Sequence, residues 1–124
     1  MKLHPDQSSV LNTVTGYGDG YVEINARRFD SSVIVGPEWP AEHWPVARFE
    51  DLSAVHFERL LEIGPDIVLL GTGRRQRFPS PRLTQALLAR RIGVEVMDTP
   101  AACRTYNILM TEGRLVLAAL LQEA

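Results

Sequence analysis

Along this chain the hydrophobic positions first alternate with polar ones, then fall at helical spacing, then gather into short unbroken blocks. The alternating part comes first: VLNTV, YVEIN and SSVIV carry β-branched and alternating apolar residues, the pattern of strands. GYGDG separates the first two and supplies glycines for a hairpin turn. In Gly36 to Pro45, GPEWPAEHWP, three prolines and a glycine read as a surface loop, because proline lacks the N–H that a helix interior or central strand needs.

After that loop the spacing becomes helical. Ala54, Phe57, Leu60 and Leu61 share a face, and Gly64-Pro65 ends the run. DIVLLGTG, Asp66 to Gly73, reads as a buried strand entering a glycine-rich turn. Ser80 and Pro81 open a second helix reaching about Arg91, before the short strand VEVM, Val94 to Met97. Thr99-Pro100 opens a third helix to about Thr111, stopped by Gly113. LVLAALL, Leu115 to Leu121, is apolar throughout and reads as a last buried strand. The order predicts an α/β fold in one compact domain over residues 1–124, with an ordered core over about 10–122. It has a mixed β-sheet, N-terminal antiparallel hairpin strands and helices packed on the sheet.

Composition narrows the classes. At 124 residues, 45% hydrophobic and 23% charged, the chain suits one globular core and excludes fibrous and disordered types. No apolar run is long enough to span a membrane, and MKLHPDQSSV has no apolar core of a secretory signal. One cysteine, Cys103, cannot form an internal disulfide and fits a reducing compartment, so a cytoplasmic location is expected.

The net charge of −2 conceals a separation. Ile67 to Val94 contains no acid but holds Arg74, Arg75, Arg77, Arg82, Arg90 and Arg91. Glu38 to Asp66 is mostly acidic, with only Arg48 and Arg59 opposing. Separated charge steers anionic ligands or complementary protein faces. RNA-binding signatures are missing and the whole is acidic, which argues against nucleic acid as the partner.

The chemical candidates cluster near two predicted strand ends. If the strands around DIVLL and VEVM are parallel neighbours, Gly71, Thr72 and Gly73 meet the helix start at Thr99, at the sheet end where open α/β folds bind ligands. Backbone N–H groups there, the helix dipole and Arg74 or Arg104 could hold a small anionic ligand. A plain tight turn is the simpler account, because G-x-G-x-x-G and a phosphate-loop lysine are both missing. Asn107 and Thr105 are poor interior helix residues, so each needs a tertiary partner; Asn107 either bridges a buried carbonyl or orients a ligand. Arg104 near the positive helix end calls for an acid, with Asp98 and Glu112 nearby.

Cys103 has no histidine beside it in sequence, and His4, His43 and His56 show no ligand spacing. No catalytic residue, metal site or cofactor is therefore expected. Trp39 and Trp44 sit in the proline-rich loop, either as a preorganised partner-binding patch or folded over the sheet edge.

DIVLLGTG, TPAACRTYN and NILMTEGRLVLAALL together resemble domain of unknown function 498, a family with a respiratory complex I assembly factor and an adipogenesis-associated domain protein among its relatives. The resemblance runs from the GYGDG hairpin to Leu121. It implies a compact α/β domain with a mixed sheet and no established catalytic residues, working as a protein-interaction or assembly module. The positions that carry it are Gly71, Thr72, Gly73, Thr99, Ala102, Arg104, Asn107 and Arg114.

Overall fold

A computed structural model describes residues 10–123. His4 and all but the last residue of the N-terminal stretch considered for a secretory signal lie outside the described residues. The architecture is a single compact α/β domain with two stacked sheets. A three-stranded antiparallel sheet holds β1 (Val14–Gly18), β2 (Tyr21–Ile24) and β3 (Arg27–Phe29). A five-stranded mixed sheet holds β4 (Val33–Gly36), β5 (Trp39–His43), β6 (Ile67–Gly71), β7 (Gly93–Met97) and β8 (Val116–Leu120), in the order β5-β4-β8-β6-β7.

The last strand in sequence is the middle strand in space. β8 runs parallel to β6 and antiparallel to β4, and all five of its residues are buried. Both of its faces are covered, which explains the unbroken apolar run. One face packs Val33, Val35, Leu69, Ala118 and Leu120 against α3 (Thr99–Thr111) and the small sheet, through Val14, Val22, Ile24, Ala102 and Tyr106. The other packs Ile34, Val68, Leu70, Leu117 and Ala119 against α1 (Ala54–Ile63) and α2 (Pro81–Ala89), through Phe57, Leu60 and Leu87.

The hairpins therefore form their own sheet rather than extending the mixed one. β3 has no counterpart in the strand pattern of the sequence. It is reached through Asn25-Ala26, both at positive φ (50° and 67°), a two-residue turn that lacks the usual glycine. The Gly36–Pro45 segment is not a loop throughout. Trp39–His43 forms the edge strand β5, and Pro40 is tolerated because it pairs on one side only. Of the two readings of Trp44, a partner-binding patch or a fold over the sheet edge, the exposed patch fails: Trp44 is fully buried, its indole N–H donating to the His56 carbonyl at 3.2 Å and its ring edge-on to Phe57. An indole at the junction of β5 and α1 buries more apolar surface than any other side chain available there, so it fills the core.

Candidate functional site

The arrangement expected of the strand ends is present. β6 and β7 are parallel neighbours with Gly71 opposite Met97, so Gly71 to Gly73 and the start of α3 share one rim. Gly71 must be glycine because a Cβ would lie 2.9 Å from Thr99 Oγ1 and 3.0 Å from Thr99 Cα. Gly73 adopts φ +94° where the chain turns away.

The polar groups of this rim bond to one another. The Thr72 N–H donates to the Met97 carbonyl at 2.9 Å, and the Gly73 N–H to Thr99 Oγ1 at 2.8 Å. The Thr99 hydroxyl donates in turn to the Leu121 carbonyl at 2.8 Å, while the Thr99 N–H donates to the Gly73 carbonyl at 2.8 Å. The Thr72 hydroxyl closes the following turn on the Arg75 carbonyl at 2.7 Å. The helix cap is Asp98 rather than Thr99: its carboxylate accepts the Ala101 N–H at 2.8 Å and places a negative charge where an anion would sit. The Thr72 and Gly73 N–H groups expected to cradle an anion are thus spent on joining the end of β6 to β7 and α3.

The other candidates separate. Arg74 reaches Asp19 of the first hairpin turn at 3.5 Å, with both side chains exposed, a contact of little energetic weight. Arg104 donates to the Tyr17 hydroxyl at 3.0 Å instead of pairing with Asp98 or Glu112. That hydrogen bond is the main reason its guanidinium pKa is raised, with Asp98 a lesser contributor. Asn107 lies further along α3, away from the rim, and clamps one residue of β1: its Oδ1 accepts the Val14 N–H at 3.0 Å and its Nδ2 donates to the Val14 carbonyl at 2.8 Å. Of the two roles open to it, it fills the structural one. Tyr106 donates to the Asn12 carbonyl at 2.6 Å and completes the link between α3 and the small sheet.

Cys103 is buried in the core under α3, and that burial pushes its thiol up to about 12, with Arg104 opposing weakly. A thiol held neutral in this way is a packing residue and a poor nucleophile. His56 is likewise structural: its ring accepts the Ser53 N–H at 3.0 Å in a capping box and lies 3.0 Å from the Pro45 carbonyl. Among the described residues no group of three or more His, Cys, Asp or Glu is placed to hold a metal ion.

Two further features lie at the rim. A cavity of about 390 Å³ opens between the hairpin Tyr17–Tyr21 and the rim residues Gly73, Arg74, Thr99 and Glu123. Beside it, Glu123 accepts the Phe49 N–H and the Arg77 guanidinium, whose other nitrogen holds Glu50 at 3.0 Å and whose plane lies 4.5 Å from the Phe49 ring centre. Only the lack of any acid near Arg77 in sequence hinted that its partner would be distant.

The sequence model of the family described as "Protein of unknown function (DUF498/DUF598)" matches residues 14–121. That span takes in both sheets and all three helices. The chain belongs to this family. Within DUF498, the chain is 40% identical over 117 residues to NADH dehydrogenase [ubiquinone] 1 alpha subcomplex assembly factor 3 of Bos taurus, covering 93% of this chain and 63% of that protein. The Homo sapiens protein of the same name is 38% identical, with 85% of this chain and 60% of that one covered. The chain therefore spans a little under two thirds of these relatives. Among solved structures, a Bordetella parapertussis crystal structure is 50% identical with a TM-score of 0.87, covering 91% of this chain and 97% of that one.

Proposed function

We propose that this DUF498 chain is a protein-interaction module that serves the assembly of a multi-subunit complex. The observation that carries the proposal is the 40% identity to a protein named as an assembly factor, over 93% of this chain. The internal use of the rim hydrogen bonds supports it, because the residues that matched the family motifs join elements of a scaffold instead of addressing a reacting group. Trp39 belongs to the proposed partner surface: it is half-buried on the edge strand, with Arg59 5.5 Å above its ring and its N–H donated to Glu42. Trp44 does not, being in the core. A cytoplasmic, reducing location is part of the same proposal. Among the described residues no helix is long and apolar enough to cross a membrane.

The test is to delete the gene in its host and resolve the membrane complexes on native gels. Less assembled NADH dehydrogenase, restored by the wild-type chain, is the expected result. An unchanged amount would overturn the reading.

The rim cavity is the one feature that favours a small anionic ligand instead, with Gly73, Arg74 and Thr99 in its lining as proposed contacts; Gly71, Thr72 and Arg104 lie outside that lining. Its acids Asp19 and Glu123 and the cap carboxylate of Asp98 oppose that reading. Titration with inorganic phosphate separates the two: a melting-point rise abolished by Arg74→Ala would favour the ligand.

A further inference from the structure

The outer surface of the α1 and α2 layer carries two unlike halves. On α1, Val55, Glu58 and Glu62 are exposed, Val55 by 62%. Arg59 is engaged by Glu42 at 2.8 Å and Glu62 at 3.1 Å, so the half stays net negative. Its surface is hollow: a concavity of about 550 Å³ is lined by Glu42, Pro45, Val55, Glu58, Arg59 and Glu62. On the α2 side, Arg82, Arg90 and Arg91 are exposed and have no ion-pair partner among the described residues. Leu88, 56% exposed, and Phe78, 72% exposed just ahead of the helix, project beside them.

The two helices pack against each other, yet no ion pair joins them among the described residues. An acidic hollow on the α1 side and a basic α2 side with exposed apolar residues thus share one face of the mixed sheet. Neither half is neutralised within the chain.

The choice of occupant follows from that adjacency. An anionic lipid surface, or a partner acidic throughout, would attract the α2 side and be repelled by Glu58 and Glu62 on α1. A second copy of this chain, turned by a two-fold axis that lies in the plane of the interface and runs between the two helices, sets each basic side against the other copy's hollow. Opposite charges then meet twice, and no basic side or hollow is left to propagate a filament.

We infer that the chain forms a two-fold homodimer across the outer surface of α1 and α2. In it, Leu88 and Phe78 of each copy enter the hollow at Val55, and Arg82, Arg90 and Arg91 face Glu58 and Glu62. This goes beyond the assembly reading and is independent of it.

Sedimentation velocity over a concentration series, up to the millimolar range, tests the inference. The wild type is expected to approach a mass of twice 13.9 kDa, with dissociation favoured by added salt. The double variants Glu58→Lys/Glu62→Lys and Arg82→Glu/Arg90→Glu are each expected to weaken the dimer at least about tenfold, as like charges then meet. Because every changed residue is exposed, circular dichroism should show both variants folded. Mixed in equal amounts, the two should restore a dimer of one copy of each, which a fold defect would not do. A wild type that stays monomeric throughout overturns the inference, as does a dimer indifferent to both reversals. A monomer that instead sediments with phosphatidylglycerol vesicles would assign the basic side to lipid and also overturn it.

Discussion

The rim at the ends of β6, β7 and β8 and the outer face of α1 and α2 are opposites. At the rim almost every motif residue is in place, and its polar groups are bonded to one another: Thr99 alone links Gly73 and Leu121. On the helix face no motif is present, yet Arg82, Arg90 and Arg91 have no ion-pair partner among the described residues, and Val55 and Leu88 are exposed. A short motif of glycine, threonine and an early helix is what close packing of a helix on a parallel sheet demands, whether or not a ligand follows. Unspent charge and exposed apolar area are the better sign of a surface made for something else.

Substitutions at the rim break this contrast if they prove mild. The largest effect is expected from Gly71→Val, whose branched side chain has only 2.9 Å to Thr99 Oγ1 and 3.0 Å to Thr99 Cα; overpacking there should cost about 3 kcal/mol in urea unfolding. Thr99→Val keeps the shape but strands the Gly73 N–H and the Leu121 carbonyl, at a cost of about 2 kcal/mol. An unaltered denaturation midpoint would mean that the rim is not held by this hydroxyl.

Asn107→Ala removes both bonds to the Val14 main chain and should cost about 1 to 2 kcal/mol. Faster amide exchange confined to β1 would localise the loss. Arg104→Ala sharpens the comparison from the other side. Its contact with the Tyr17 hydroxyl is exposed, so thermal melting should change by less than about 0.5 kcal/mol. A larger drop would move Arg104 into the scaffold with Asn107.

Alkaline pH offers a check on the core beneath α3. Burial raises the Cys103 thiol from 9.0 to about 12, so its contribution is intact below pH 9. Above that pH the unfolded chain releases the proton first, and stability should decline towards pH 12. The Cys103→Ala variant should lose that part of the decline, measured by urea midpoints at stepped pH.

Much of the fold was legible. The helical spacing of Phe57 and Leu60, the proline starts at Pro81 and Pro100, and the apolar blocks of β6 and β8 report local burial directly, because each residue's neighbours along the chain decide which side it shows. The Asn25-Ala26 hairpin escaped notice because its turn lacks glycine, although Ala26 still adopts φ 67°. The depth of Trp44 is open in the sequence for a different reason. Proline and glycine in its surroundings speak of chain direction, not of depth, and only the approach of α1 buries the indole.

The same division holds for the candidate site. By itself the sequence determined the three helices, the strands β6, β7 and β8 between and after them, the family and the separation of charge, since these depend on residue types and their spacing. Tertiary structure alone decided that the chain's final strand enters the middle of the sheet and that Asn107 serves a strand 93 positions away. It also decided that Arg77 finds Glu123, and that acidic and basic helices come to lie on one face. The physical reason is that hydrogen bonds and ion pairs act over a few ångströms in space, whatever their separation along the chain, and the long-range packing that brings such groups together is a property of the whole core.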